Sequence, residues 1–265
     1  MKNFDMTRFG RVLKLDFVEG YKSMLWGMLC MTLLYLFFFW FAHNIGIHDS
    51  RFDYNAPEDI QILRITTICE AVAAFSALAM FIYFLIAAST LYHSEQKKQK
   101  RIAWLMLPAS NLEKFLSRWV FLLVFSLVGG ILPFFIADLI HMAYLSMTDY
   151  PVMAATDGFG GLFIVSKYEP NSWMNSLRIY SIYICIHSFF LLGGVFFKKF
   201  HFIATSAVMV LGLAMVFSVT NAFHLYIFLN RIDVFIYAGL TVLFTWLAYW
   251  LFCRWQVVTH KFANV

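Results

Sequence analysis

The chain has 265 residues, of which 62% are hydrophobic and only 13% are charged, and its mean hydropathy is +0.72. This balance excludes an intrinsically disordered chain and is typical of a membrane protein with several spanning helices. The formal net charge of +5 is distributed unevenly along the chain. We therefore interpret it as a signal of membrane topology, and we expect no nucleic-acid partner.

Six apolar stretches are long enough to cross a bilayer, which takes about 20 residues of helix. They lie near residues 24–43, 71–91, 119–141, 179–197, 202–220 and 234–253. The sequence therefore predicts an all-α membrane protein with six transmembrane helices, folded as a single transmembrane domain over residues 1–265. External loops are expected near residues 43–70 and 142–177, the second forming a small ordered cap.

Lysine and arginine residues favour one side of the predicted bundle. Fifteen of the 20 lie before the first span, after the last, or in the loops that follow spans two and four. The positive-inside rule then places both termini in the cytoplasm.

The segment that precedes the first span, residues 1–23, has the pattern of an amphipathic helix. The apolar residues Phe9, Leu13 and Phe17 recur at helical spacing, and the basic residue Arg11 lies on the other side of the helix. Such a helix lies in the inner membrane interface and contacts lipids, so we expect a turn at Gly20 before the span begins. The alternative is a connecting helix that abuts a cytoplasmic partner.

The most charged long segment, residues 93–118, joins spans two and three on the predicted cytoplasmic side. Ser110 and Glu113 have the Ser-x-x-Glu spacing of a capping box, which predicts a helix that begins there. We expect this helix to dock onto a separate protein through Pro108, Ser110, Leu112, Glu113, Lys114, Phe115 and Arg118. The alternative is that its apolar residues lie on the membrane surface.

The third span contains three residues that weaken a helix, Gly129, Gly130 and Pro133, and they predict a kink or a break. Near its outer end, Asp138 and His141 are three positions apart and can point to one side of a helix, as a pair of metal ligands would. The alternative is that both are ordinary polar groups at the membrane interface.

Signatures of catalysis are absent from the sequence: it has no phosphate-binding loop, zinc-protease motif or nucleophile elbow. We therefore expect no enzymatic activity, no cofactor and no bound metal in this chain. Energy for any active transport must come from a partner or from an ion gradient.

The order of these parts resembles the permease subunit of type-2 ATP-binding-cassette exporters, as found in Bacteroidetes-like bacteria. The most specific match is the stretch LMLPASNLEKFLSRW over residues 105–119, which is similar to the loop where such permeases meet their nucleotide-binding partner. The chain departs from many members in the short segment 221–233, where they carry a re-entrant pair of helices.

The resemblance implies a permease subunit in a bacterial inner membrane. Its partners would be a second copy or a related permease and an ATP-binding subunit that holds ATP and Mg²⁺. The segment around residues 110–115 would be a coupling helix, and the substrate a lipid, a peptide or a drug-like amphipathic molecule. Two other functions stay open: a scaffold, sensor or assembly subunit without transport activity, and an intramembrane enzyme that modifies lipids.

Overall fold

The computed structural model describes residues 4–48, 57–90, 98–147, 152–156, 172–197, 200–222 and 226–254. Within them lie seven α-helices: α1 (Met6–His48), α2 (Glu58–Ser89), α3 (Lys98–Leu105), α4 (Asn111–Ser146), α5 (Ser172–Phe196), α6 (His201–Ala222) and α7 (Tyr226–Cys253). Five of them, α1, α2, α4, α5 and α7, are long and apolar enough to cross a membrane, which indicates an all-α integral membrane protein. The predicted fifth span corresponds to α6, whose apolar part, His201–Met215, is shorter.

Helix α1 is continuous over 43 residues, so the expected turn at Gly20 is absent. A helix of this length measures about 65 Å at 1.5 Å per residue, roughly twice the thickness of the hydrocarbon core. The prediction of a separate interfacial helix over residues 1–23 is therefore wrong for the described part of that segment. One glycine costs only about 1 kcal/mol relative to alanine, and the flanking residues continue the helix.

The connections are shorter than hydropathy indicates. The expected external loop over residues 43–70 is helical up to His48 and again from Glu58, and residues 49–56 lie outside the described ranges. Likewise α4 continues to Ser146 and α7 begins at Tyr226, eight residues before the predicted span. Hydropathy marks the part of a helix that suits hydrocarbon, whereas hydrogen bonding decides where the helix ends.

Helix α4 is also continuous, so it has no break at its glycines and proline, and the kink stays a prediction. A β-carbon on Gly129 would lie 2.6 Å from the Tyr83 hydroxyl oxygen, and one on Gly130 would lie 2.7 Å from Cγ of Met80. These glycines thus make room for side chains of α2. Close approach of this kind is the usual use of small residues between membrane helices.

The chain divides into two compact units. Unit 1 comprises residues 1–19, 84–124 and 177–265, and unit 2 comprises residues 20–83 and 125–176. Each has its own buried cluster. That of unit 1 consists of Trp104, Phe115, Leu191, Val195, Ala248 and Phe252. That of unit 2 consists of Met31, Tyr35, Phe39, Ile65, Cys69, Val72, Phe134, Ala137 and Ala155.

Candidate functional site

The start of α4 has the capping box that the sequence predicts. The backbone N–H of Ser110 donates to Oε2 of Glu113 at 2.8 Å, and the backbone N–H of Glu113 donates to Oγ of Ser110 at 3.2 Å. Two otherwise unsatisfied donors of the first turn are thereby paired, which fixes the first residue of the helix.

The same carboxylate also satisfies the start of α1. Its Oε1 accepts a hydrogen bond from the backbone N–H of Asp5 at 2.8 Å and another from Nη2 of Arg8 at 3.1 Å. Glu113 is fully buried. One carboxylate therefore joins the N-termini of two helices, where its negative charge complements both helix dipoles.

Asp5 is the N-cap residue of α1. Its Oδ1 accepts a hydrogen bond from the backbone N–H of Thr7 at 2.8 Å, and this bond holds the pKa of Asp5 below its usual range. Nε of Arg8 lies 3.7 Å from Oδ2 of Asp5. The N-terminus of α1 is thus held both by its own residues and by Glu113.

A second polar contact between α1 and α4 lies two helical turns further along α1. Nε of Arg118 lies 3.3 Å from Oδ1 of Asp16, and the Ser117 hydroxyl donates to Oδ2 of the same carboxylate. All three side chains are at least 94% buried. Because a buried charge is costly without a partner, this ion pair strongly restricts how α1 can be rotated against α4.

The opposite face of the α4 start packs on α3 and α7. The Phe115 ring lies 5.4 Å from the Tyr249 ring and 5.7 Å from the Phe252 ring, measured between ring centres. The Trp104 ring, 5% exposed, lies 5.4 Å from that of Phe252. The first turns of α4 are therefore packed against aromatic residues of α3 and α7.

Two cations of α4 lie near the Trp104 ring. Nζ of Lys114 is 5.7 Å from its centre and Cζ of Arg118 is 5.9 Å away, within the range of cation–π attraction. Both side chains are almost completely buried, so their charges act within the chain.

The predicted docking residues fall into two groups. Glu113, Lys114, Phe115 and Arg118 are buried in contacts within the chain, which differs from the expected surface role. Pro108 and Leu112 are exposed, Leu112 to 40%, and Ser110 is half-buried. The surface left for a partner is therefore the loop before α4 and the outward side of its first turn.

This surface includes a residue that the sequence analysis did not select. Met106, just after α3, is 79% exposed. Beside it lies a groove of about 410 Å³, lined by Arg8, Arg11, Val12, Leu15, Leu107, Pro108 and Ala109. The groove has apolar lining residues and the exposed Arg11, whereas Arg8 is already paired with Glu113, and this combination suits an acidic, partly apolar segment.

The residues predicted to contact the membrane interface differ in exposure. Arg11 is exposed, whereas Phe9, Leu13 and Phe17 are half-buried. The Phe17 ring lies 5.1 Å from the Phe121 ring, edge to face. The most buried positions nearby are Val12 and Asp16, so the inward side of this segment is partly polar.

Asp16, Trp104 and Ser117 belong to the site but were not predicted. Asp16 looked like one more surface charge in a basic segment, because its partner Arg118 is about a hundred residues away. One feature of the sequence could have indicated Asp16: it lies eight residues after Arg8, so both residues are on the same side of the helix.

The candidate metal ligands have other contacts. Both oxygens of Asp138 accept backbone N–H bonds from the loop, Oδ1 from Ala155 at 2.9 Å and Oδ2 from Thr156 at 3.2 Å. The His141 ring stacks on that of Phe39, 4.2 Å between centres. In the part of the chain that the structure describes, no group of three or more His, Cys, Asp or Glu side chains is arranged to hold a metal ion.

No known protein family, no curated protein and no solved structure matches this chain.

Proposed function

We propose that this chain is the permease subunit of an ATP-driven membrane transporter. A separate subunit binds ATP and Mg²⁺ and docks at the start of α4. The permease has six spans with α6 as the fifth, cytoplasmic termini and a bacterial inner-membrane location, and it pairs with a second copy or a related permease. Its cargo is an amphipathic molecule, which it exports.

The observation that carries this proposal is the double anchorage of the α4 start. A motor that moves a transmembrane helix from outside must push on an element that does not yield. The buried pair of Asp16 and Arg118 and the Glu113 carboxylate join α4 to α1, while Phe115 joins it to α7. A force applied to the preceding loop would thus reach three helices together.

The loop before α4 also offers a surface for the motor. Met106 at the start of the loop and Leu112 in the first turn of α4 are exposed apolar side chains, and Arg11 lines the groove beside the loop. Apolar anchors supply most of the affinity at an interface, and a charged rim sets its orientation. An acidic segment of the ATPase would fit the groove.

The test is purification of the tagged full-length chain from its native membranes, with identification of bound subunits and measurement of ATP hydrolysis. We expect a subunit with a phosphate-binding loop to remain bound to the wild-type chain. Met106→Asp and Leu112→Asp should each reduce the bound amount about tenfold, because a charge replaces an apolar anchor.

Met147→Asp is the matched control. Met147 is 85% exposed and follows the other end of α4, so its substitution should leave the bound ATPase unchanged. Substitutions of Phe115 or Glu113 are unsuitable here because both side chains are buried within the chain. Equal retention by all variants, or the absence of any ATP-hydrolysing subunit, would contradict the proposal and favour a scaffold or sensor.

A further inference from the structure

Unit 2 contains a half-open pocket of about 420 Å³ between α1 and the C-terminal part of α4. Among the residues that the structure describes, three aromatic side chains, three polar ones and two aliphatic ones line it. The aromatic residues are Phe39, Trp40 and Tyr144, and the polar residues are His43, Asn44 and His141. This volume is in the range of sites for small molecules.

The polar groups of the pocket are held in place by ring contacts. The His141 ring stacks on that of Phe39, and the His43 ring stands edge-on to that of Tyr144, 5.5 Å between centres. Asn44 donates a hydrogen bond from Nδ2 to the backbone oxygen of Trp40 at 2.7 Å. The site is therefore formed before any ligand arrives.

His141 is 94% buried, and its Nδ1 atom has no hydrogen-bond partner among the residues that the structure describes. Buried polar atoms are nearly always paired, so this atom, on a residue that lines the pocket, favours a partner beyond the described residues.

The described lining residues favour an uncharged ligand. None of the eight is Lys, Arg, Asp or Glu. A phosphate or a carboxylate would lack a cation, and an ammonium group would lack an anion. The carboxylate of Asp138, one turn from His141, is already occupied by two backbone N–H groups.

The mouth of the pocket lies among exposed apolar side chains. Trp40 is 61% exposed, Phe41 49% and Tyr144 50%. Aromatic residues in this arrangement are typical of the level where acyl chains meet headgroups. This setting favours a ligand that enters from the lipid phase.

We propose that this pocket binds a lipid whose headgroup is uncharged and rich in hydroxyl groups, such as a glycosyl diacylglycerol. The sugar lies against the aromatic rings, and its hydroxyls bond to the imidazole of His141 and the amide of Asn44. The acyl chains extend along the exposed side of α1. The site is independent of the proposed ATPase.

The test uses the purified full-length chain in detergent micelles and native mass spectrometry. Diglucosyl diacylglycerol, phosphatidylglycerol with the same acyl chains and the free glucose disaccharide are titrated separately. We expect the glycolipid to bind at least about tenfold more tightly than the other two. Equal binding of phosphatidylglycerol would contradict the preference for an uncharged headgroup. Equal binding of the disaccharide would contradict the claim that the ligand is a lipid.

Substitutions locate the site. Trp40→Ala and His141→Phe should each weaken glycolipid binding about tenfold, since one removes a stacking surface and the other a hydrogen-bonding atom. Trp26→Ala is the matched control, because Trp26 is 68% exposed on the same helix and does not line the pocket. If His141→Phe fails to fold, His43→Phe, which keeps a ring at the rim, replaces it. Unchanged affinity in the pocket variants, or an equal loss in Trp26→Ala, would overturn the proposal.

Discussion

Helices α1 and α4 meet in both units, but through different chemistry. In unit 1 the Phe17–Phe121 ring contact is joined by two buried or partly buried charged pairs, Arg8 with Glu113 and Asp16 with Arg118. In unit 2 it consists of rings: the Tyr35 ring lies 5.7 Å from that of Phe134, edge to face, and the Phe39 ring stacks on His141. In each unit the contacts advance in the same direction along both helices, so the helices are parallel there.

The charges of the whole sequence follow the same division. Unit 1 carries 16 of the 20 basic and 6 of the 15 acidic residues, a net charge of +10. Unit 2 carries 4 basic and 9 acidic residues, a net charge of −5. Unit 1 thus has charged groups available to specify the rotation and register of its helices, whereas unit 2 depends mainly on ring packing.

The difference shows that the same pair of parallel helices can be held rigidly in one unit and with some tolerance of small shifts in the other. Hydrogen bonds and ion pairs are directional, and a buried charge penalises every arrangement in which it loses its partner. Ring contacts supply area and tolerate small shifts. We therefore expect the largest single-residue effects on stability in unit 1, and three substitutions test this ranking.

Arg118→Ala should have the largest effect. It leaves the buried carboxylate of Asp16 without its ion partner, which costs about 3–5 kcal/mol when a buried pair is broken. Unfolding of the purified chain in detergent, followed by tryptophan fluorescence, measures the change. Lys14→Ala, at an exposed position, should change the free energy of unfolding by less than about 0.5 kcal/mol. If both variants are equally stable, the ion pair does not hold the helices together.

Asp138→Asn should have an intermediate effect, because Asp138 is an acidic residue in the buried part of unit 2. The substitution weakens two hydrogen bonds from the loop, and bonds to a charged acceptor contribute about 1.5–3 kcal/mol. Limited proteolysis of the loop near Ala155 provides the measurement, and Asp59→Asn at an exposed position of α2 is the control. Cleavage at the wild-type rate would show that Asp138 does not hold the loop.

Tyr35→Phe should have the smallest effect. It keeps the ring contact with Phe134 and removes only the hydrogen bond from the hydroxyl to the backbone oxygen of Gly130, 3.2 Å long. We expect a loss of about 0.5–1 kcal/mol in the same unfolding measurement. A loss as large as that of Arg118→Ala would mean that unit 2 also depends on a polar contact, and the proposed difference between the units would disappear.

Hydropathy and local spacing predicted several features correctly. The membrane class follows from the composition, and the helices appear where apolar runs occur. The capping box of Ser110 and Glu113 was predictable because its partners are three residues apart. What could not be predicted is the second use of Glu113, since the N–H of Asp5 reaches it from more than a hundred residues away.

The same distinction explains the errors. Gly20, Gly129 and Pro133 weaken a helix locally, and local reasoning therefore predicted a turn and a break. The helices continue because packing against neighbours outweighs a local cost of about 1 kcal/mol for a glycine. In α4, the absence of a side chain at Gly129 and Gly130 leaves space in which Tyr83 and Met80 of α2 pack.

The sequence by itself determined that the chain is a helical membrane protein, and it located the first turn of α4. Both follow from composition and from contacts within a few residues. Only the tertiary structure decided that Phe115 and Arg118 are buried, that Met106 and Leu112 remain exposed, and that His141 lines a pocket. The physical reason is that burial depends on which distant helix covers a side chain, and in an apolar sequence every face of a helix suits either protein or lipid.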